Sequence, residues 1–293
     1  MHTIVAIVKS MRPLQWVKNL FVFAGLIFAQ EFLDIHKLLL SCAAFAAFCL
    51  LASGVYLFND IIDLPLDKAH PRKRERPLPA GELPLWLAAL CSAIFIAAGL
   101  AWAMHLHEGL AIVGMIYIFL QLLYTFILKR LVIVDIIVVA SGFLLRAIAG
   151  AVVLDVAISS WLLLCTSLLA LFMVTAKRRQ ELIRVIEQGV APSRDVICQY
   201  PQAFLDELLT IEAYGAMLSY AIYVFDPGTA ERFGTPYLGV SLPFVLYGIL
   251  RYLYLVKVGG RGESPERLVV SDPIFLINLL LWVASIIIII YFA

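Results

Sequence analysis

The sequence predicts an all-α, polytopic membrane protein of about nine transmembrane helices. Three observations carry that reading: composition, recurring apolar runs and one-sided charge. Of 293 residues, 63% are hydrophobic and 15% charged, and the mean hydropathy is +0.96, which no water-soluble domain of this length would show. A helical crossing needs roughly 20 apolar residues. Such runs recur at about 18–34, 38–58, 84–104, 109–128, 132–154, 158–176, 205–225, 236–256 and 273–292. Residues 1–293 read as one integral-membrane domain, because no polar linker is long enough to divide them.

Taken in order, the first run starts among polar residues, Lys18 and Asn19, and is the weakest of the nine. The dense series of later spans, and the lack of a small-residue cleavage site, argue against a removed signal peptide. The second run ends abruptly at Asn59-Asp60. A short turn with His105 and His107 joins the third and fourth, and the fourth closes on Tyr124, Lys129 and Arg130. The fifth carries Asp135 and Arg146, eleven residues apart and so on one helix face about 16 Å apart. They are too distant to pair, so each needs a partner on another helix or a polar cavity, because ionisable groups at membrane depth are costly. For Arg146 both a cavity with an anionic ligand and a structural ion pair stand open. The sixth run stops at Lys177-Arg178-Arg179-Gln180-Glu181, and three further runs complete the chain.

Charge orients the bundle. Alternating the loops places 18 of the 22 Lys and Arg residues on one side, which the positive-inside rule makes cytoplasmic. The expectation is a multi-pass protein of the cell inner (plasma) membrane, in contact with the lipid bilayer, its polar site facing the cytoplasm. The five cysteines have no metal-ligand spacing and read as packing residues. The five histidines form no cluster, there is no Gly-rich phosphate loop, and nothing points to nucleic acid. Oligomeric state is not legible.

The segment that carries chemistry is Asn59-Asp60-Ile61-Ile62-Asp63-Leu64-Pro65-Leu66-Asp67, followed by Lys68, Lys73, Arg74 and Arg76. On a continuous helix Asn59, Asp60, Asp63 and Asp67 fall within an arc of roughly 100°. Three carboxylates beside a basic cluster suit Mg²⁺ holding a diphosphate, since Mg²⁺ prefers carboxylate and phosphate oxygens. A solvated, helix-capping loop between two spans is the plainer reading. Pro65 breaks helical hydrogen bonding, so the helix is expected to kink or end near Leu64, ranking Asp60 and Asp63 above Asp67 as ligands. Lys177, Glu181 and Arg184 share one face, with Arg178 beside it. They read either as a positive-inside stop or as a second anion-binding wall, Arg forks and Lys point charges being the usual grips on phosphate.

With these residues in view, the sequence resembles the UbiA-type prenyltransferase superfamily, and within it the decaprenyl-phosphate phosphoribosyltransferase branch. Asn59-Asp60-x-x-Asp63-x-x-x-Asp67 resembles its first aspartate-rich motif. Supporting segments are Arg12-Pro13-Leu14-Gln15-Trp16-Val17-Lys18-Asn19, Gly54-Val55-Tyr56-Leu57-Phe58 and His70-Pro71-x-Lys73-Arg74-x-Arg76-Pro77. Others are Tyr124-x4-Lys129, Leu145-Arg146-Ala147-Ile148-Ala149-Gly150, Phe172-Met173-Val174-x-x-Lys177-Arg178, Ile249-Leu250-Arg251-Tyr252, Gly259-Gly260 and Gly262-Glu263-Ser264-Pro265-Glu266.

The resemblance implies a helical bundle around a central cleft open to the cytoplasmic side. One departure is informative: prenyl-transferring members carry a second Asp-x-x-x-Asp motif after the sixth span, where this chain has the net-basic Lys177-Arg178-Arg179-Gln180-Glu181. A basic wall suits a further phosphate better than a second metal. Phosphoribosyl pyrophosphate carries both a diphosphate and a 5-phosphate. The implied reaction is therefore Mg²⁺-dependent transfer of 5-phosphoribosyl from phosphoribosyl pyrophosphate to a polyprenyl phosphate, releasing pyrophosphate. Asp60, Asp63 and Asp67 are the expected catalytic metal ligands. Lys18, Asn59, Lys73, Arg76, Tyr124, Lys129, Arg146, Lys177 and Arg178 are the expected substrate-binding residues. Three alternatives stand: prenyl transfer to an aromatic or other acceptor, a transporter of phosphorylated lipid or sugar, and a lipid-binding structural subunit.

Overall fold

The computed structural model of the chain describes residues 2–69, 71, 73–157, 159–189, 192, 194–258 and 271–292, and the regular elements among them are all helical. His70 and the glycine-containing stretch 259–266 lie outside the described residues. In chain order, α1 (His2–Met11) leads into a 3₁₀ helix (Pro13–Val22) and α2 (Phe23–Phe28). Next come α3 (Ile35–Ile62), α4 (Leu64–Ala69), α5 (Leu85–Leu106), α6 (Glu108–Phe126) and α7 (Val134–Val153). The remainder is α8 (Ser160–Gln188), α9 (Gln202–Phe225), α10 (Pro227–Phe233), α11 (Leu242–Lys257) and α12 (Pro273–Phe292).

Eight described helices are long and apolar enough to cross a membrane: α3, α5 to α9, Tyr237–Lys257 (α11 with its leading turn) and α12. The first expected run is instead the ten-residue 3₁₀ helix followed by the six-residue α2. Because a 3₁₀ helix rises about 2.0 Å per residue against 1.5 Å in an α-helix, the two laid end to end would reach about 29 Å, close to the hydrocarbon thickness of about 30 Å. Close packing accounts for the irregular backbone here. A Cβ on Gly25 would lie 2.8 Å from the backbone of Gly150 and Ala151 on α7, and one on Gly150 would strike the Val22 carbonyl. Chain meets chain there with no side chain between.

The chain divides into two compact units. The first comprises residues 1–26, 34–138 and 145–157. Its main contact is α3 against α5, made by small residues at matched spacing. Ser92 Oγ donates to the Gly54 carbonyl at 2.8 Å, a Cβ on Gly54 would meet the Ser92 carbonyl at 3.0 Å, and one on Gly99 would meet the Ala47 carbonyl at 3.2 Å. Small residues let membrane helices approach closely where the hydrophobic effect gives no drive between them. Asp34 caps α3, accepting from the His36 and Lys37 amides at 2.8 and 3.2 Å. At the other end α3 stops at Ile62, Asp63 forms the turn, and α4 restarts at Leu64 with Pro65 in its first turn. Pro is tolerated there because that N–H has no helical acceptor. The single helical wheel over 59–67 therefore gives way to two short helical registers.

The second unit comprises residues 27–33, 139–144 and 158–293. Here α9 packs against α8 and α11 around a core that includes Phe172, Ala176, Leu209, Ala213, Tyr252 and Val256. Helix α8 runs well past the expected stop at 176, to Gln188, with Gly189 at φ 62° closing it. The basic run thus forms the last turns of this long helix.

Candidate active site

In the first unit the end of α3, α4 and the 3₁₀ turn Lys73–Glu75 carry a network of carboxylates and cations. Arg76 Nη1 donates to Asp60 Oδ1 at 3.0 Å and to Asp67 Oδ2 at 2.7 Å. Lys73 Nζ lies 3.4 Å from Asp67 Oδ1. Asp60 and Asp67 are both buried, 3% and 1% exposed. Asp63 turns elsewhere and accepts from Lys129 Nζ at 2.6 Å. Asn59 Oδ1 accepts from Thr125 Oγ1 of α6, which also lies 2.8 Å from the Gln121 carbonyl. Tyr124 is buried beside Thr125.

A further cation reaches the site from the N-terminus. Arg12 sits between α1 and the 3₁₀ helix in the left-handed region, at φ 55° and ψ 63°. Its Nη2 pairs with Asp60 Oδ1, and its guanidinium lies 5.2 Å from the Tyr56 ring centre. Arg12, Arg76, Asp60, Lys9 and Gln15 are among the residues lining a cavity of about 430 Å³. Burial, and after it the charge of Arg12, hold the Arg76 guanidinium below its ordinary pKa. Arg12 and Thr125 were not among the residues expected from sequence. The first approaches Asp60 across 48 positions and the second approaches Asn59 across 66.

These residues suit a hard cation shared with a phosphate ligand. Among the described residues no three His, Cys, Asp or Glu side chains are close enough to cage a metal by themselves. Asp60 and Asp67, however, converge on one Arg76 nitrogen, and the buried Asp67 Oδ1 accepts no hydrogen bond. Mg²⁺ needs no protein cage, because it keeps waters and takes substrate phosphate oxygens alongside one or two carboxylates. Three carboxylates face four cations (Arg12, Lys73, Arg76 and Lys129), so a dication with a polyanion can enter the network together.

The other expected site residues have partners of their own. Lys18 Nζ donates to Gln15 Oε1 at 2.5 Å. Arg146 is buried and donates to Asn19 Oδ1 at 2.6 Å and Tyr117 Oη at 3.1 Å, lying over the Tyr117 ring. Asn19 in turn donates to Cys49 Sγ at 3.1 Å. Asp135 is fully buried in the first turn of α7, where the helix dipole favours a carboxylate. In the second unit Arg178, 2% exposed, donates to Glu181 at 3.0 Å. Arg179 bonds Asp206 at 2.6 Å and the Val256 carbonyl at 3.2 Å, and Gln180 donates to the same carbonyl at 2.7 Å. Much of the basic run therefore ties α8 to α9 and α11. Lys177, on the same run, is half-buried.

Residues 19–280 match the UbiA prenyltransferase family. The decaprenyl-phosphate phosphoribosyltransferase of Mycolicibacterium smegmatis is 36% identical over 98% of this chain and 93% of its own length. That of Mycobacterium tuberculosis is 36% identical over 97% and 94%, and that of Corynebacterium glutamicum 35% over 97% and 86%. Among solved structures, a UbiA homolog from Archaeoglobus fulgidus bound to DMAPP and Mg²⁺ has a TM-score of 0.73 at 18% identity, covering 98% of this chain and 99% of that one. At that identity the likeness speaks for the fold. A family match over most of the chain agrees with the all-helical architecture and the aspartate-rich turn after α3: the chain belongs to the UbiA prenyltransferase family.

Proposed function

We propose that this protein transfers the 5-phosphoribosyl group of phosphoribosyl pyrophosphate to a decaprenyl-type polyprenyl phosphate and releases pyrophosphate, with Mg²⁺ as cofactor. The observation that carries the reading is the full-length similarity to relatives named for that reaction. The cation-saturated aspartate network at the end of α3 supplies residues suited to it.

Asp60 and Asp67, with Asp63 once it is released from Lys129, would hold the metal, which supplies Lewis-acid neutralisation of the leaving diphosphate. The cations paired with those carboxylates are then free to bind phosphate oxygens. Arg76 and Lys129 grip the diphosphate, with Lys73 beside them. Asn59, fixed by Thr125, orients ligand oxygens at the start of the motif. As the C1–O bond lengthens, positive charge grows on the ribose, and the carboxylates of this turn stabilise it. A phosphate-monoester oxygen of the acceptor attacks C1 with inversion. It is already ionised near neutral pH, so no histidine dyad is required. Lys18 and Arg146 are assigned to the lipid phosphate. Lys177 and Arg178 are assigned to the 5-phosphate, Arg178 exchanging Glu181 for it, and Tyr124 packs the wall beside Thr125. The excess of Lys and Arg in the loops on the site's side supports a site facing the cytoplasm, in the inner membrane.

A second reading, prenyl transfer, is favoured by fold neighbours bound to DMAPP or GPP. Presenting the purified protein with labelled phosphoribosyl pyrophosphate and polyprenyl phosphate in one reaction, and with a labelled prenyl diphosphate and aromatic acceptors in another, separates the two. Labelled lipid in the first alone supports the proposal. Product in the second alone, or an unchanged rate in Asp60→Asn and Asp63→Asn, overturns it.

A further inference from the structure

The position of Arg12 at the joint between α1 and the 3₁₀ helix is not explained by helix packing. We propose that Arg12 is a donor-binding residue that exchanges partners, pairing with Asp60 in the ligand-free protein and moving to a diphosphate oxygen when metal and diphosphate bind. The proposal rests on the acidic motif being a metal–diphosphate site and is independent of which group is transferred.

Three features support the exchange. First, the guanidiniums of both Arg12 and Arg76 converge on the single oxygen Asp60 Oδ1. Two like charges on one acceptor repel, and an anion entering beside them relieves the repulsion while a metal takes over the carboxylate. Second, the backbone on either side of Arg12 is fastened to α3, leaving the side chain to do the moving. Trp16 Nε1 donates to Ser53 Oγ at 3.1 Å, and the same hydroxyl, 2.7 Å from the Cys49 carbonyl, lies 3.2 Å from the Met11 carbonyl. With Tyr56 beneath the guanidinium, Ser53, Tyr56 and Asp60 make a stripe along α3. Third, Arg12 and Asp60 share the wall of the 430 Å³ cavity, a volume within the roughly 300–1,000 Å³ typical of small-ligand sites. The left-handed backbone at Arg12, uncommon outside Gly, Asn and Asp, is the kind of local strain that clusters at ligand clamps.

The exchange predicts effects of opposite sign from one substitution. In the full chain, purified in detergent, Mn²⁺ binding alone is read by electron paramagnetic resonance and pyrophosphate binding by calorimetry at saturating Mn²⁺. Arg12→Gln should tighten Mn²⁺ alone about tenfold, because a competing cation is gone, and weaken pyrophosphate about tenfold or more, the worth of one charge-assisted hydrogen bond. Arg12→Lys keeps the charge but loses the fork, so Mn²⁺ should bind as in wild type while pyrophosphate weakens several-fold. If Arg12→Gln fails to fold, Arg12→Lys carries the test. Unchanged pyrophosphate affinity, or loss of Mn²⁺ and pyrophosphate binding together as a merely structural residue would give, overturns the proposal. If these results hold but wild type moves no phosphoribosyl group, the assignment of the reaction fails and that of Arg12 stands.

Discussion

Replacing Arg76 by alanine removes both hydrogen bonds from its Nη1, leaving Asp60 and Asp67 buried with less compensation. Hydrogen bonds to charged groups are each worth about 1.5–3 kcal/mol, and breaking one side of a buried pair costs about 3–5 kcal/mol. The Arg76 side chain keeps 32% of its exposure, and Arg12 and Lys73 remain, so the low end, about 3 kcal/mol, applies. At about 2 °C per kcal/mol for a chain of this size, Tm in metal-free detergent should fall by about 6 °C. Mg²⁺ at a hundred times its dissociation constant adds about 2.7 kcal/mol to any state that binds it. In Arg76→Ala the metal no longer displaces a guanidinium, so at a fixed subsaturating Mg²⁺ concentration its Tm gain should exceed that of wild type. The assay is thermal unfolding followed by the monodisperse fraction on size exclusion, with chelator and with Mg²⁺. A fall in Tm that Mg²⁺ does not repair more strongly than in wild type would refute the claim that Arg76 occupies the metal's carboxylates.

Other substitutions separate chemistry from packing. Thr125→Val frees Asn59 and should lower kcat about tenfold, one hydrogen bond's worth, with Tm nearly unchanged; steady-state kinetics and unfolding on the same preparation check both. Gly150→Ala drives a methyl into the Val22 carbonyl and should cost about 1–3 kcal/mol, read as a lower Tm and folded yield. Arg179→Met removes the ties to Asp206 and Val256 and should lower Tm by several degrees while the surviving folded fraction keeps its KM for the donor, as a structural rather than substrate-binding arginine would.

Which features are legible in the sequence follows physical lines. Apolar run length is a local property, so the runs that became α3, α5 to α9, α11 and α12 were legible. The first was not, because length alone cannot distinguish an α-helix from the Pro13–Val22 3₁₀ helix. A signal was nevertheless present: Trp16, Asn19 and Val22 recur every three residues, the 3₁₀ period, with Asn19 and Val22 buried. Pro65 foretold the break after α3, but not that the break would bring Asp67 and Asp60 onto one arginine while Asp63 turned to Lys129. Arg12 and Thr125 joined the site through tertiary packing, which no spacing rule encodes. On α8 the sequence showed positive charge but not its burial, and Arg178 and Arg179 prove to be taken up by Glu181 and Asp206.

The reaction itself is tested most directly by following the atoms of the donor. Phosphoribosyl pyrophosphate labelled with carbon-14 in ribose and phosphorus-32 in the diphosphate is incubated with the protein, Mg²⁺ and decaprenyl phosphate, and the phases are separated. The account predicts carbon-14 in the lipid phase and an equimolar amount of phosphorus-32 as free pyrophosphate in water, both abolished by Asp60→Asn. Phosphorus-32 in the lipid, or no labelled lipid with active wild-type protein, would contradict it.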